Sequence, residues 1–460
     1  MVEQDNMDYL REEMRNITNN IIRLVQDRME VAKKIGNIKH QLNIEIEDEK
    51  VENDIKKSVM DLTKDIGMDV EFSGRLLNLL LLESVKLQNI QNNNNNNNKP
   101  THIAVFMKAK ELEKNGKKII HLEVGEPDYP PPLKVKEELS KIYDNKKYHY
   151  TEIPGIPQLR QEISKKFSNL RSEQVLVTPG GRFAVFSAIT SLLKPGDELI
   201  NIEPSWPAYK ECAEFIGAKT RLLKTTIEDK WTPNLKTLES LININTKMLI
   251  LNYPNNPTGK VLDSNLIEKI VSIAKDHKLY ILSDEVYSDY SFIKYNSILN
   301  YQYDKSIMVS SFSKTYGMTG FRVGYGIANN DIITKMRKVQ ATSITSVAEP
   351  MQYCALAALD NNMQSNIDSI KDRINIICKR LEQMNTEYIV PDGAMYVYPK
   401  IISQNYSSDI SLVYDLLEKG VAIAPGSGFG NSYKQFIRIS ACQSSKLLND
   451  GLDILQKYLA

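Results

Sequence analysis

Apolar side chains recur at spacings of four and three along the first 42 residues, at Leu10, Met14, Ile17, Ile21, Leu24, Val31, Ile35, Ile38 and Leu42. That period predicts one long amphipathic helix with a coiled-coil-like seam. Arg28 falls at a seam position. A buried arginine is costly unless paired, so it either specifies register in an oligomer or binds an anion. Lys39, eleven residues on and about three turns away, lies near the same face. Arg11, seventeen residues before Arg28, points elsewhere and would serve only a neighbouring chain's site. A second helix is expected from near Asp48, with Glu52 one turn later. A third, rich in leucine from Leu76 to Leu82, carries Ser84 and Gln88 on one face.

The pattern then breaks. Gln91 is followed by asparagine at every position of 92–98, a polar low-complexity run that cannot build a core. It reads as a linker with a reach of about 15–20 Å. The expected domains are 1–91 (helical), 92–100 (linker) and 101–460 (α/β), all of ordinary size.

Beyond the linker, apolar runs deliver polar residues into loops. Ile307-Met308-Val309 leads into Ser311-Phe312-Ser313-Lys314, with Arg322 eight residues on. A desolvated lysine amine in such a loop is a ready Schiff-base nucleophile. The tetrapeptide alone is weak, and its partners decide its weight. Leu279-Tyr280-Ile281-Leu282 runs into Ser283-Asp284-Glu285-Val286-Tyr287, and Asn255-Asn256-Pro257-Thr258-Gly259 follows another strand. Both are also good turn and cap chemistry. In open α/β sheets, however, ligands gather at the carboxyl ends of strands, where these groups converge. With a pyridine cofactor, Asp284 would pair with the ring nitrogen, and Asn256 and Tyr287 would hydrogen-bond the ring's phenolic oxygen. Gly180, Gly181 and Arg182 open an apolar helix after the strand at 174–177, so their backbone would face a phosphate, aided by Ser311 and Arg322. Trp206 would stack on the ring, or else it belongs to the core. Arg438, alone among apolar neighbours, suits a bidentate clamp on a substrate α-carboxylate.

Together with Gly125-Glu126-Pro127-Asp128 and the stretch from Tyr150 to Arg160, these ordered motifs make residues 101–460 resemble a fold-type I, class I/II pyridoxal-phosphate aminotransferase of the aspartate type. The resemblance implies a large mixed-sheet cofactor domain and a smaller α/β domain made of both ends of the segment. It also implies that Lys314 holds the cofactor and shuttles the α-proton, that Tyr150 reaches the phosphate of a neighbouring subunit in a homodimer, and that Gly125 closes over the substrate carboxylate. Residues 5–91 resemble the all-helical chorismate mutase domain. That resemblance implies a site in which Arg28 and a partner chain's Arg11 hold two carboxylates and Lys39 and Gln88 hydrogen-bond the ether oxygen. Asp48 and Glu52 would face the ring hydroxyl, and Ser84 a carboxylate. Val51 stands where that family usually has arginine, which weakens the expected site.

With 58 basic and 57 acidic residues, the net charge of +1 offers no general attraction to nucleic acid or anionic membrane. The four cysteines lack C-x-x-C spacing and the five histidines have no metal-ligand pattern, so no metal is expected and a reducing cytoplasm is. No secretory leader or bilayer-spanning run is expected. The fused resemblances imply a bifunctional enzyme of aromatic amino acid biosynthesis. It would turn chorismate into prephenate and transaminate prephenate or an arylpyruvate from glutamate or aspartate. The alternative is an aspartate aminotransferase whose helical domain only dimerises or binds an effector.

Overall fold

The computed structural model describes residues 2–42, 44, 46, 48–89, 102–402, 406 and 408–459. The expected linker at 92–100 lies outside them. The described residues form two compact units, one made mainly of the first 89 residues and one mainly of those from residue 102 on.

The first unit is three helices, α1 (Val2–Gln41), α2 (Glu49–Asp65) and α3 (Val70–Asn89). Side-chain carboxylates start the later two: Asp48 Oδ1 accepts from the Val51 amide at 3.2 Å and Asp69 Oδ1 from the Phe72 amide at 2.7 Å. Helix α1 is continuous, as its periodicity predicts, but its apolar seam is not what meets α3. Leu10, Met14, Ile17, Ile21, Leu24, Val31, Ile35, Ile38 and Leu42 are all exposed, Met14 at 69%. The face turned to α3 carries Arg28, Ala32 and Gly36. Small residues win there because the backbones approach closely: a Cβ on Gly36 would stand 2.9 Å from Gln88 Cα. Arg28 therefore belongs to an intrachain contact and not to the seam.

Eight strands of the second unit bear on its site: β1 (Ile120–His121), β2 (Val175–Thr178), β3 (Glu198–Glu203), β4 (Lys219–Lys224), β5 (Thr246–Asn252), β6 (Tyr280–Asp284), β7 (Ser306–Ser311) and β8 (Gly324–Ile327). Seven of them form one sheet in the order β2-β8-β7-β6-β5-β3-β4, in which β8 alone runs antiparallel to its neighbours. Their apolar runs are buried on both faces. Met248, Ile250, Leu282 and Val309 pack with Ala184, Val185, Ala188 and Ile189 of helix α5 (Gly181–Leu192), while Leu249, Leu251, Ile281 and Met308 enter the opposite core. The register sets Asn252 opposite Asp284 and Asp284 opposite Val309, so the polar residues that end each apolar run share one rim.

The smaller part is built from both ends of the segment. Strand β1, which follows helix α4 (His102–Lys114), pairs in parallel with Val421–Ala422. A three-stranded antiparallel sheet has Ile437–Ser440 at its centre, with Arg438 opposite Ala424. No helix among the described residues is long and apolar enough to cross a membrane.

Where β8 begins, the backbone passes so close to the start of α5 that a Cβ on Gly324 would lie 2.4 Å from the Gly181 nitrogen. Gly324→Ala should therefore destabilise the protein by about 1–3 kcal/mol. Gly320→Ala, with nothing within 4 Å of its added carbon, should change stability by less than about 0.5 kcal/mol. Denaturant unfolding of the two variants checks the contrast.

Candidate active site

A cavity of about 410 Å³ opens at the rim of the seven-stranded sheet. Lys314 enters it from the loop after β7, and its Nζ donates to the Gly125 carbonyl at 2.6 Å. The loop is pinned from behind, because Tyr290 and Tyr129 hydroxyls donate to the Lys314 carbonyl at 2.8 and 2.9 Å.

Asp284 ends β6 at 4% exposure. Its Oδ2 accepts from the Tyr209 hydroxyl at 2.7 Å and its Oδ1 from the Val286 amide at 3.4 Å. Burial pushes the carboxyl up to about 6 in spite of those bonds and the charge of Lys314. Asn252, one strand over, holds the Asp284 carbonyl at 3.1 Å and takes the Asn256 amide on its Oδ1 at 3.0 Å. Asn256 Oδ1 accepts in turn from Arg438 Nη1 at 2.8 Å. The second guanidinium fork of Arg438 donates to the Glu123 carbonyl, and its carbon lies 4.2 Å from the Tyr396 ring centre and 4.9 Å from that of Phe429. Arg438 is 3% exposed, and among the described residues its Nε has no partner and no carboxylate lies within ion-pair reach of it. Tyr287 shares a 2.8 Å hydroxyl contact with Tyr396.

At the far end, Gly180 and Gly181 bring the first turn of α5 to the rim. A Cβ on Gly180 would stand 2.6 Å from Arg322 Nη2, and one on Gly181 3.4 Å from Ser311 Cβ. The space between helix start, hydroxyl and guanidinium is thus kept free of side chain, as an anion cradle requires. Arg182 and Trp206 line the cavity together, with the guanidinium carbon 4.6 Å from the indole centre, so one face of Trp206 carries Arg182. Tyr150 is 92% exposed and does not line this cavity.

In the helical unit, Arg28 Nη1 donates to the Leu80 carbonyl at 2.8 Å and to Ser84 Oγ. Partial burial lowers its pKa from the usual arginine value. Gln88 Oε1 is buried without a hydrogen-bond partner among the described residues. Lys39 Nζ caps the Ile46 carbonyl at 2.7 Å, and Glu52 is buried on α2. Arg28 and Ser84 are in direct contact. Arg11 is not brought to them: it is exposed and pairs with Asp8 at 3.1 Å.

Residues 117–454 match the family described as aminotransferase class I and II. The chain belongs to that family. Residues 10–89 match chorismate mutase type II, so the aminotransferase is fused to a mutase domain. The chain is 34% identical over 361 residues to an aspartate aminotransferase of Thermotoga maritima, covering 76% of this chain and 94% of the relative. It is 35% identical over 368 residues to a (5-formylfuran-3-yl)methyl phosphate transaminase of Methanocaldococcus jannaschii, with the same coverage. The crystal structure of an aspartate aminotransferase from Thermotoga maritima superposes with a TM-score of 0.75 at 33% identity, covering 78% of this chain and 97% of that one. Class I and II aminotransferases depend on pyridoxal phosphate.

Tyr209, Asn252 and Glu123 are among the cavity residues of this aminotransferase that carry no motif of their own. Tyr209, three residues beyond Trp206, acts on Asp284 through a contact between a helix and a strand end that no local spacing marks. Asn252 looked like the end of an apolar strand. Glu123 had no motif to mark it, and its place follows only from the pairing of β1.

An unfolded chain releases the Asp284 proton near the ordinary carboxyl value of 3.8, and the folded chain near 6. The folded state therefore holds more protons between about pH 4 and 6, and stability contributed by this group falls as pH rises through that window. Above it the cofactor-free protein carries a penalty on the order of 3 kcal/mol. Asp284→Asn should accordingly melt higher than the parent at pH 8 and equally at pH 4, while binding pyridoxal phosphate more weakly. Calorimetry of the cofactor-free proteins at both pH values checks this.

Proposed function

We propose that the chain is a cytoplasmic, homodimeric enzyme of aromatic amino acid biosynthesis that isomerises chorismate to prephenate and transfers an amino group to prephenate or an arylpyruvate, with glutamate or aspartate as donor. One geometric fact carries the reading of the larger unit. A lysine amine, a buried carboxylate and a buried guanidinium without a counter-charge face one cavity.

Pyridoxal phosphate fits those residues. Its phosphate suits the α5 start with Ser311 and Arg322, its ring nitrogen Asp284, and its phenolic oxygen Tyr287 and the Asn256 amide nitrogen. When bound there, it supplies an electron sink for the substrate α-carbon. Arg438 fixes the substrate carboxylate, which also neutralises the guanidinium. Lys314, released from the Gly125 carbonyl, takes the α-proton and returns it. Asp284, already held up near 6, gains a cationic partner and becomes fully ionised.

In the helical unit, Arg28 and Ser84 would meet one carboxylate, with Lys39 and Gln88 at the ether oxygen and Asp48 and Glu52 at the ring hydroxyl. The rearrangement needs no nucleophile, only a compact conformer and positive charge beside the developing oxygen charge. Arg11 reaches such a site only from a second copy. The exposed apolar seam of α1 supports that pairing, since stripes of this length are seldom left bare. The exposed Tyr150 likewise suits a neighbour's phosphate.

The fusion and the apolar wall of Ile103 and Phe106 favour a ring-bearing acceptor. An aromatic-amino-acid aminotransferase 2 of Thermococcus litoralis is 30% identical over 359 residues. Aspartate/2-oxoglutarate exchange is the second reading, favoured by the aspartate aminotransferases among the relatives. Comparing kcat/KM for prephenate, phenylpyruvate, 4-hydroxyphenylpyruvate and oxaloacetate separates them. The ring-bearing acids should lead, and an exclusive preference for oxaloacetate would overturn the aromatic assignment.

Lys314→Ala should abolish transamination while pyridoxal phosphate still binds and borohydride no longer fixes it to the protein. Turnover near the parent rate would refute the role of Lys314. Arg28→Ala should lower chorismate conversion by about 10² or more with the aminotransferase rate nearly intact, as expected for loss of a charged substrate contact in a preorganised site. A change confined to oligomer mass or melting would make Arg28 structural.

A further inference from the structure

Behind the α-carboxylate clamp lies a carboxylate with no task in the chemistry described above. Glu123 follows β1, lines the cavity and is fully buried. Its backbone carbonyl holds Arg438, but its side chain turns to His121 of β1, which links it to Glu113 of helix α4. There Oε1 meets His121 Nδ1 at 2.8 Å, and the other ring nitrogen of His121 meets Glu113 Oε1 at 3.1 Å. Glu113 is itself paired with Lys110 at 2.8 Å. The relay fixes one oxygen of Glu123 and leaves the other, Oε2, buried without a hydrogen-bond partner among the described residues. A buried carboxylate oxygen left unsatisfied costs more than an ordinary hydrogen bond returns, so such groups mark places where a ligand completes the set.

We infer that Glu123 is a specificity residue whose free oxygen accepts a hydrogen bond from a hydroxyl on the substrate's ring, selecting hydroxylated aromatic or cyclohexadienyl amino and oxo acids over unhydroxylated ones. This rests on the ring-bearing acceptor proposed above. Three observations support it. Ile103 and Phe106 of α4 line the same cavity and give a ring an apolar wall, and the Phe106 ring centre lies 6.1 Å from that of His121. The Glu123 carbonyl accepts from Arg438, which sets the residue beside the group that grips the carboxylate. The bond to Glu123 raises the His121 pKa and so favours the charged imidazole that offsets the carboxylate. A carboxylate offset in this way suits a neutral donor such as a hydroxyl better than a second cation.

Tyrosine and phenylalanine differ by this one hydroxyl, and kcat/KM for each, with 2-oxoglutarate and the full-length holoenzyme, provides the test. The parent enzyme should favour tyrosine by about tenfold or more, the size expected for a hydrogen bond to a charged acceptor. Glu123→Ala should bring the ratio near one, mainly by lowering the tyrosine value. Glu123→Gln carries the same expectation if the alanine variant fails to fold. Its amide oxygen stays with His121 and puts an NH₂ group in the place of Oε2, where an acceptor is needed. An unchanged ratio, or equal losses on both substrates, would overturn the inference and leave Glu123 as a support for Arg438. Turnover of neither amino acid by a parent enzyme that still uses aspartate would instead overturn the aromatic reading, and this inference with it.

Discussion

A guanidinium buried to 3% exposure without a carboxylate in reach is expensive, and the larger unit is organised around tolerating it. Arg438 is held by an amide oxygen, a backbone carbonyl and two aromatic faces, all of which orient its charge without cancelling it. Asp284 presents the complementary problem: a carboxylate at a buried strand end, supported by one phenol and one amide. Asn252 and Asn256 join the two, since the first holds the Asp284 backbone and the Asn256 amide, and the second accepts from Arg438. The site thus stores two opposite, incompletely compensated charges on a rigid sheet rim. Ligands that supply a cation at one and a carboxylate at the other recover that cost on binding, which is how preorganised electrostatics serve catalysis.

Much of this was legible in the sequence because strands that end in polar residues announce their own rims. The runs ahead of Asp284, Asn256 and Lys314 are apolar enough to be buried and too short to be anything but strands, and parallel register does the rest. Arg438 was legible for the opposite reason, as a charge in an apolar stretch. Glu123 was not, because its position depends on a two-residue strand pairing across 301 residues, between Ile120 and Val421. Tyr209 was missed because its task, donating to Asp284, belongs to a contact between a helix and a strand end that no local spacing encodes.

The helical unit teaches a different lesson. Periodicity located α1, but it did not distinguish which face meets the chain's own helices. Leucine and isoleucine mark a seam that stays exposed, whereas Arg28, Ala32 and Gly36 mark the close intrachain contact. Small residues decide how near two helices come, and hydropathy alone is blind to that. Val51, half-exposed at the first turn of α2, leaves the expected arginine position without charge. Arg28 and Lys39 spend hydrogen bonds on Leu80 and Ile46 carbonyls that a substrate would have to replace.

The account makes both units act in one metabolic sequence, and the most direct measurement gives the full-length holoenzyme chorismate and ¹⁵N-labelled glutamate in one vessel. Mass spectrometry then follows every ring-bearing product. The account predicts that chorismate is consumed and that ¹⁵N appears in a ring-bearing amino acid. Chorismate left untouched, or prephenate accumulating without label while oxaloacetate is readily aminated, would contradict it.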